Sequence, residues 1–322
     1  MRIGVVGATG LVGREMARIV RDRLDLPASS FLAFASGSSE GRTVPYGDAG
    51  VRVSAFTDEA VGAGDFLLGA TAAEAAGEWV PRAVARGAVV IDNSSRYRMD
   101  PGVPLVVTEV NPGAVPAGCR LIANPNCSTI QLVVALAPLA AAFDIEWAAV
   151  STYQSVSGGG SPALEELERE ENGLSGRSRG EMYHRNVLTS IGPLDGDLYC
   201  EEESKLSRET AKIIGKSFPV FPACARVPVR VGHLESVTIR FRQRIEVSAV
   251  CGVLSGAPGV VLLGQGLAPA EVEGRDGVHV GRVRRSPSDG SVIQMWITAD
   301  NVRKGAALNA VQILEMILGG RM

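Results

Sequence analysis

Ile3-Gly4-Val5-Val6-Gly7-Ala8-Thr9-Gly10-Leu11-Val12-Gly13 decides the fold. Residues 3–6 form a short apolar run, and three glycines follow at 7, 10 and 13. Leu11, Val12, Met16, Ala17, Ile19 and Val20 then recur at helical spacing. Strand, glycine turn and helix in that order open a dinucleotide-binding unit. The spacing GxxGxxG differs from the commoner GxGxxG, but the physical need is shared. Glycines let the chain turn sharply and bring its backbone close to a pyrophosphate, which sits at the helix N-terminus. Alone, the trio also fits an ordinary strand-to-helix turn.

Outward from this stretch, further strand-like runs cover residues 31–35, 65–70, 88–92, 104–108 and 121–123, with a helix-compatible segment at 72–86. Such alternation predicts a parallel sheet covered by helices, with ligands beyond the strand C-termini. After residue 127 the pattern changes. Residues 128–143 read as a buried helix, 147–154 as a strand and 157–161 as a glycine loop. Residues 162–172 form a polar helix whose glutamates suggest a solvated face, and 175–180 are polar. In 233–241, Val237, Ile239 and Phe241 alternate with polar residues, which predicts a strand with one wet face. Residues 292–299 read as a strand, and 302–318 as an apolar helix ending at Gly319-Gly320.

The chain has 322 residues, 46% hydrophobic and 21% charged, which suits about two soluble domains. Its 32 basic and 35 acidic residues lack the basic excess of a general nucleic-acid binder. No stretch is apolar enough to span a membrane, and the N-terminus does not read as a signal peptide. The five cysteines are widely spaced without a CxxC, and only three histidines occur, so neither a disulfide framework nor a metal site is expected. A reducing, cytoplasmic setting is the expectation.

Asn124-Pro125-Asn126-Cys127-Ser128-Thr129 falls where a strand gives way to an apolar helix. A cysteine at a helix N-terminus meets the positive end of the dipole and unpaired N–H groups, which favour thiolate and could hold an oxyanion. A small buried capping residue is the plainer alternative. His233, before a strand, suits acid–base work beside a thiolate, though most histidines are structural polar residues with no catalytic task. Arg226, seven residues earlier, could clamp a carboxylate in bidentate fashion. Arg98 could bind an anion at the sheet edge or lie on a solvated surface.

Together these motifs resemble the aspartate-β-semialdehyde dehydrogenase family. The resemblance runs in order through Gly7–Gly13, Asp92-Asn93-Ser94-Ser95 with Arg98, and Asn124–Thr129. It continues through Ser151-Thr152-Tyr153-Gln154-Ser155-Val156-Ser157-Gly158, Glu202–Lys205 and Arg226–Ser236, and ends at Asp300–Ala307. It implies an α/β architecture: a Rossmann-like dinucleotide-binding domain, residues 1–126 with helix 302–322, and an α+β catalytic and dimerisation domain, residues 127–301. The implied reaction is reduction of L-4-aspartyl phosphate by NADPH to the semialdehyde and inorganic phosphate, in lysine, threonine and methionine biosynthesis. Cys127 would be the nucleophile and form a thioester, His233 the acid–base group, and Gln154 an orienting group. Arg226 would pair with the substrate carboxylate and Glu202 with its amino group, while Arg98, Asn126 and Lys205 hold phosphate. Gly7, Thr9, Gly10, Leu11, Val12, Gly13, Ser36, Ser38, Ser39 and Asn301 would contact the cofactor. Ser38 stands where such enzymes often carry an arginine for the 2′-phosphate, and Glu40 and Arg42 lie nearby, which leaves NAD open beside NADP. Self-association as a homodimer or homotetramer is implied, with no nucleic-acid, membrane or metal partner.

The competing readings are an acyl-phosphate or acyl-CoA reductase of another substrate, and a non-catalytic paralogue. Glu202 and Arg226 favour a free amino acid substrate over the first. The presence of both Cys127 and His233 weighs against the second.

Overall fold

In a computed structural model that describes residues 1–174, 182–216 and 218–320, the chain divides into two compact units. One comprises residues 1–125 and 306–322, the other residues 126–305. The polar stretch 175–180 lies outside the described residues.

The first unit starts as its sequence dictates. Strand β1 (Ile3–Val6) is wholly buried and runs through the glycine turn into helix α1 (Leu11–Leu24). Then come β2 (Phe31–Phe34), β3 (Thr43–Tyr46), β4 (Ala49–Ser54), β5 (Phe66–Gly69), helix α2 (Ala73–Ala85), β6 (Val89–Asp92) and β7 (Leu121–Ala123). The sheet order is β3-β4-β2-β1-β5-β6-β7, parallel except for the β3–β4 pair. β1 thus lies between β2 and β5, and the chain reverses direction across the sheet there, where such sheets open a crevice for ligands. Buried Val, Ile, Leu and Phe of these strands pack against Met16, Ala17, Ile19 and Val20 of α1. Each such side chain contributes roughly 1.5–3 kcal/mol on burial.

The expected strand at 104–108 is not formed. Leu105 makes one parallel bridge to Ala123. Beyond it the Asn111 side chain takes the ladder's place, accepting from the Val107 N–H and donating to the Leu105 carbonyl, each at 2.9 Å. An Asn side chain that mimics the backbone ends strand pairing in this way.

The second unit is an α+β layer pair. Helix α3 (Cys127–Ala142) is buried on nearly every side, as an apolar sequence without a polar stripe requires. Next come β8 (Ile145–Gln154), α4 (Ser161–Glu171), α5 (Glu201–Ile214), β9 (Val220–Arg226), β10 (His233–Phe241), α6 (Val247–Ser255), β11 (Val260–Leu262), β12 (Val278–Arg285) and β13 (Val292–Ala299). The sheet order is β11-β12-β13-β10-β8-β9. The β10 residues alternate buried and half-buried. Val237, Ile239, Met295 and Ile297 lie in the core, on the face that meets α3. The opposite face carries Trp147, Tyr153, Phe221 and Trp296, with Phe221 53% exposed. The α4 glutamates are not all solvated. Glu166 is buried beside Arg169, and Glu170 accepts the N–H groups of Tyr183 and His184 at 2.8 and 2.7 Å.

The closing apolar stretch is not one regular helix. Residues Arg303–Leu308 form a π-helical turn, and α7 (Asn309–Gly319) then packs into the first unit's core. The expected return at 302 comes at 306. Asp300 holds the N–H groups of Val302 and Arg303 at 2.9 Å each, so this turn is anchored in the second unit. Gly305 lies against Cys127, where a Cβ would come within 2.9 Å of the cysteine Cβ.

Candidate active site

In the first unit, the expected cofactor residues gather beyond the C-termini of β1 and β2. Gly7 turns with φ +92°, and a Cβ there would collide with the Ala70 carbonyl. Gly13 faces the Gly7 carbonyl with no room for a Cβ. The N–H groups of Gly7 and Ala8 bond Phe34 O, tying the glycine turn to the next strand. That strand leads to Ser36, Ser38 and Ser39. Ser36 and Ser38 hydroxyls lie 3.1 Å apart, and Thr9 Oγ1 reaches Ser39 Oγ at 3.5 Å. Gly10 N-caps α1 without a side-chain cap, so the first-turn N–H groups ahead of Leu11 and Val12 face the turn. A helix start of this kind suits a pyrophosphate. The fit to a dinucleotide rests on these glycines, because a Cβ at 7 or 13 would strike the Ala70 or Gly7 carbonyl and keep the turn from closing. Arg98 is buried in the same unit, its guanidinium donating to the carbonyls of Asn124 and Asn93 at 3.0 and 2.6 Å. The neighbouring Asp92 carboxyl is pushed up by burial, against the pull of the Ser94 hydroxyl and of Arg98.

In the second unit, Cys127 is the first residue of α3, and its Sγ lies 3.3 Å from His233 Nε2 at the start of β10. Asn126 is the helix cap, its Oδ1 accepting from Ser128 N and Thr129 N at 2.9 and 3.3 Å. Two carboxylates of α5 hold this asparagine. Glu202 accepts from its Nδ2 and Glu209 from its backbone N–H, both at 2.7 Å. Lys205 Nζ lies 2.7 Å from Glu201 and 3.7 Å from Glu202. The His233 ring is fully buried, and burial, then the Arg226 charge, holds it well below the ordinary histidine range. Arg226 Nη1 donates to Ser155 O at 2.9 Å and to Gln154 Oε1 at 3.4 Å. Gln154 Nε2 lies 3.3 Å from Thr152 Oγ1.

Sequence comparison gives a consistent family. Residues 2–117 match the semialdehyde dehydrogenase NAD binding domain and residues 136–304 the semialdehyde dehydrogenase dimerisation domain. An aspartate-semialdehyde dehydrogenase from Rickettsia conorii is 39% identical over 98% of this chain and 97% of its own length. The chain belongs to the aspartate-semialdehyde dehydrogenase family. The crystal structure of aspartate semialdehyde dehydrogenase II from Vibrio cholerae superposes with a TM-score of 0.92 at 38% identity, covering 100% of this chain and 99% of that one. A second structure of that enzyme is its complex with ASA. An aspartate semialdehyde dehydrogenase from Candida albicans, solved with NADP, gives a TM-score of 0.74 at 26% identity over 98% of both chains. The match places this chain among oxidoreductases with a nucleotide-binding Rossmann-type unit, and the dimerisation domain supports self-association.

For this aspartate-semialdehyde dehydrogenase family member, Cys127, Asn126, Gln154, Glu202, Lys205, Arg226 and His233 come together within one unit. Asn301, expected at the cofactor, is held by the second unit's own chain. It is 3% exposed, its Oδ1 accepts from Gly232 N and its Nδ2 donates to Ser157 Oγ, each at 2.9 Å. The amide therefore supports the loop behind His233. Ser155, Ser157 and Glu209 carry bonds in the site that the sequence reading did not assign. Glu209 is seven residues from Glu202 and four from Lys205, so helical periodicity on α5 was the available signal. Among the described residues no group of three or more potential metal ligands gathers, and no helix is long and apolar enough to cross a membrane.

Proposed function

We propose that this chain interconverts L-4-aspartyl phosphate and L-aspartate-β-semialdehyde with inorganic phosphate, through a thioester on Cys127. The observation that carries this reading is the 3.3 Å contact of Cys127 Sγ with His233 Nε2 at the N-terminus of α3. The sulfur attacks the acyl carbon, a C–S bond forms, and the C–O bond to phosphate breaks. A covalent thioester divides one hard substitution into two easier ones. When bound, the reduced nicotinamide supplies the hydride that brings the acyl group to the aldehyde level. Gly7, Thr9, Gly10, Leu11, Val12 and Gly13 hold the pyrophosphate end, with Ser36, Ser38 and Ser39 toward the adenosine ribose. His233 faces the sulfur and serves the oxygen that turns negative, by hydrogen bond or by proton. Gln154 orients the intermediate.

Arg226 clamps the substrate carboxylate, Glu202 meets its amino group, and Arg98, Asn126 and Lys205 hold phosphate. For Asn126 the phosphate contact falls to the Nδ2 hydrogen not engaged by Glu202. Several fixed charges around a small zwitterion restrict its orientation, which lowers the barrier. NADP is the cofactor the family suggests, and Ser38 in place of an arginine leaves room for NAD. The aromatic outer face of the second sheet is where a homodimer forms, alone or within a homotetramer. The setting is cytoplasmic, within lysine, threonine and methionine biosynthesis.

The test is phosphate-dependent oxidation of L-aspartate-β-semialdehyde with NADP and NAD in parallel, followed by absorbance of the reduced nicotinamide. Turnover that requires phosphate supports the reaction, and the faster cofactor answers the Ser38 question. Folded protein with reactive Cys127 and no turnover on this substrate refutes it and points to another acyl donor.

A further inference from the structure

The meeting of Cys127 with His233 is repeated one layer deeper. Gln131 lies four residues after Cys127 on α3, and Glu235 two residues after His233 on β10. Four residues of helix rise about 6 Å and two residues of strand about 6.8 Å, so both steps reach a similar depth. Both also keep their face, since side chains recur at i+4 on a helix and at i+2 on a strand. Gln131 therefore meets Glu235 as Cys127 meets His233, and its amide acts on the Glu235 carboxyl. Both side chains are fully buried. None of their four polar atoms has a hydrogen bond of ordinary geometry among the described residues. Across the sheet Glu235 faces Thr152 of β8 and Ile297 of β13, and Thr152 Oγ1 is already engaged by Gln154 Nε2 at 3.3 Å. Burial favours the protonated carboxyl, which has a donor and an acceptor to match those of the amide.

A polar pair is unfavourable where apolar side chains would pack without penalty. What it supplies is register. Helix α3 is apolar on nearly every side. Apolar burial is not directional, so its Leu, Val and Ile side chains could rest on the sheet at more than one rotation or height. A polar group in an apolar interface admits only the setting in which it meets its partner. We infer that Glu235 and Gln131 are positioning residues, a buried polar pair that fixes α3 on β10 and so holds Cys127 Sγ 3.3 Å from His233 Nε2. The inference deepens the proposed function and rests on Cys127 being its nucleophile. Neither residue touches the reacting atoms. They act through the helix and the strand that carry Cys127 and His233.

The experiment replaces the pair in the full chain and reads three quantities at pH 7. These are kcat and KM for phosphate-dependent oxidation of the semialdehyde, the rate of Cys127 alkylation by iodoacetamide in the free protein, followed by mass spectrometry, and Tm. The double variant Glu235→Met with Gln131→Met keeps the volume and removes the polar groups. Its kcat should fall roughly 10- to 100-fold with KM unchanged, since about 1 Å of misplacement is enough. Alkylation should slow about 3- to 10-fold as the thiol loses its place beside His233. Its Tm should be no lower than the parent's, because an apolar pair carries no buried polar group. Glu235→Gln, which keeps a polar partner for Gln131, should recover both rates to within about threefold of the parent. A double variant with kcat and alkylation within twofold of the parent overturns the inference, and so does a Glu235→Gln loss as large as that of the double variant. If the double variant does not fold, Gln131→Met alone is read against the same limits. Alkylation needs no substrate, so it separates a failure of positioning from a failure of the proposed reaction.

Discussion

Gly158→Ala should separate substrate capture from folding. A Cβ at 158 would come within 2.5 Å of Arg226 Nη1, and within 3.3 and 3.4 Å of His233 Cε1 and Nε2. Carbon and nitrogen at rest need roughly 3.5 Å, so the guanidinium must retreat by about 1 Å. That retreat lengthens its 2.9 Å bond to Ser155 O beyond any hydrogen bond and moves the fork away from the substrate carboxylate. A hydrogen bond to a charged group contributes about 1.5–3 kcal/mol, so kcat/KM for the semialdehyde should fall roughly 10- to 150-fold. The fold should not suffer, because the displaced atom ends a flexible side chain and the backbone at 158 is outside the left-handed region. The assays are steady-state kinetics in the oxidative direction and thermal unfolding. A kcat/KM within twofold of the parent would refute the assignment of Arg226. Loss of more than about 5 °C in Tm would refute the claim that the strain stays local.

Three further outcomes can be checked. Cys127→Ala should abolish turnover while dinucleotide binding, read by fluorescence titration, persists; normal turnover sinks the nucleophile assignment. Glu209→Ala leaves the buried Asn126 N–H without its 2.7 Å acceptor and should lower stability by about 1–3 kcal/mol, whereas Glu209→Gln, which keeps an acceptor, should recover most of it in denaturant unfolding. Glu235 is fully buried without a hydrogen bond of ordinary length, and burial pushes its carboxyl well above the usual range against the pull of Gln131. Below about pH 4.3 both folded and unfolded states hold its proton, and above that the unfolded state releases a proton the fold retains, so stability is lost as pH rises. Glu235→Gln should therefore raise Tm relative to the parent increasingly from pH 5 to pH 8, each tenfold difference in proton affinity counting about 1.4 kcal/mol; a pH-independent difference contradicts this.

What the sequence made legible was local. The glycine turn declares itself because only a residue without Cβ fits beside the Ala70 and Gly7 carbonyls. Helix α3 is readable from its unbroken apolar run, and Cys127 from its place at the start of that run. The hairpin β3–β4 and the strands β9 and β12 were not read, since their short, half-exposed patterns take meaning only from the strands they join. The segment at 104–108 misled because apolar character does not reveal that Asn111 will cap its ladder. Asn301 was assigned by motif alone, while its bonds to Gly232 and Ser157 depend on chain far away in sequence. Glu209 escaped for the same reason, as its partner lies 83 residues away.

The assembly of Gln154, Arg226 and His233 is a property of strand register. Gln154 faces Arg226 across the parallel β8–β9 pair, and Tyr153 faces Leu234 across the antiparallel β8–β10 pair. Three neighbouring strands thus end together with these side chains on the face that meets α3. A slip of one residue would turn each to the aromatic outer face. The register is held by the core below, where Val150 pairs with Val237 and Val237 with Met295, all buried. Helix α3 is fixed on the same face, and its cap Asn126 is bonded on both main chain and side chain by α5. Cys127, Gln154 and His233, the groups proposed to act at the acyl carbon, therefore stand on a strand end or a helix start, with their positions set by packing rather than by a loop. That rigidity holds His233 Nδ1 3.1 Å from the Ser155 N–H while Nε2 stands 3.3 Å from Cys127 Sγ.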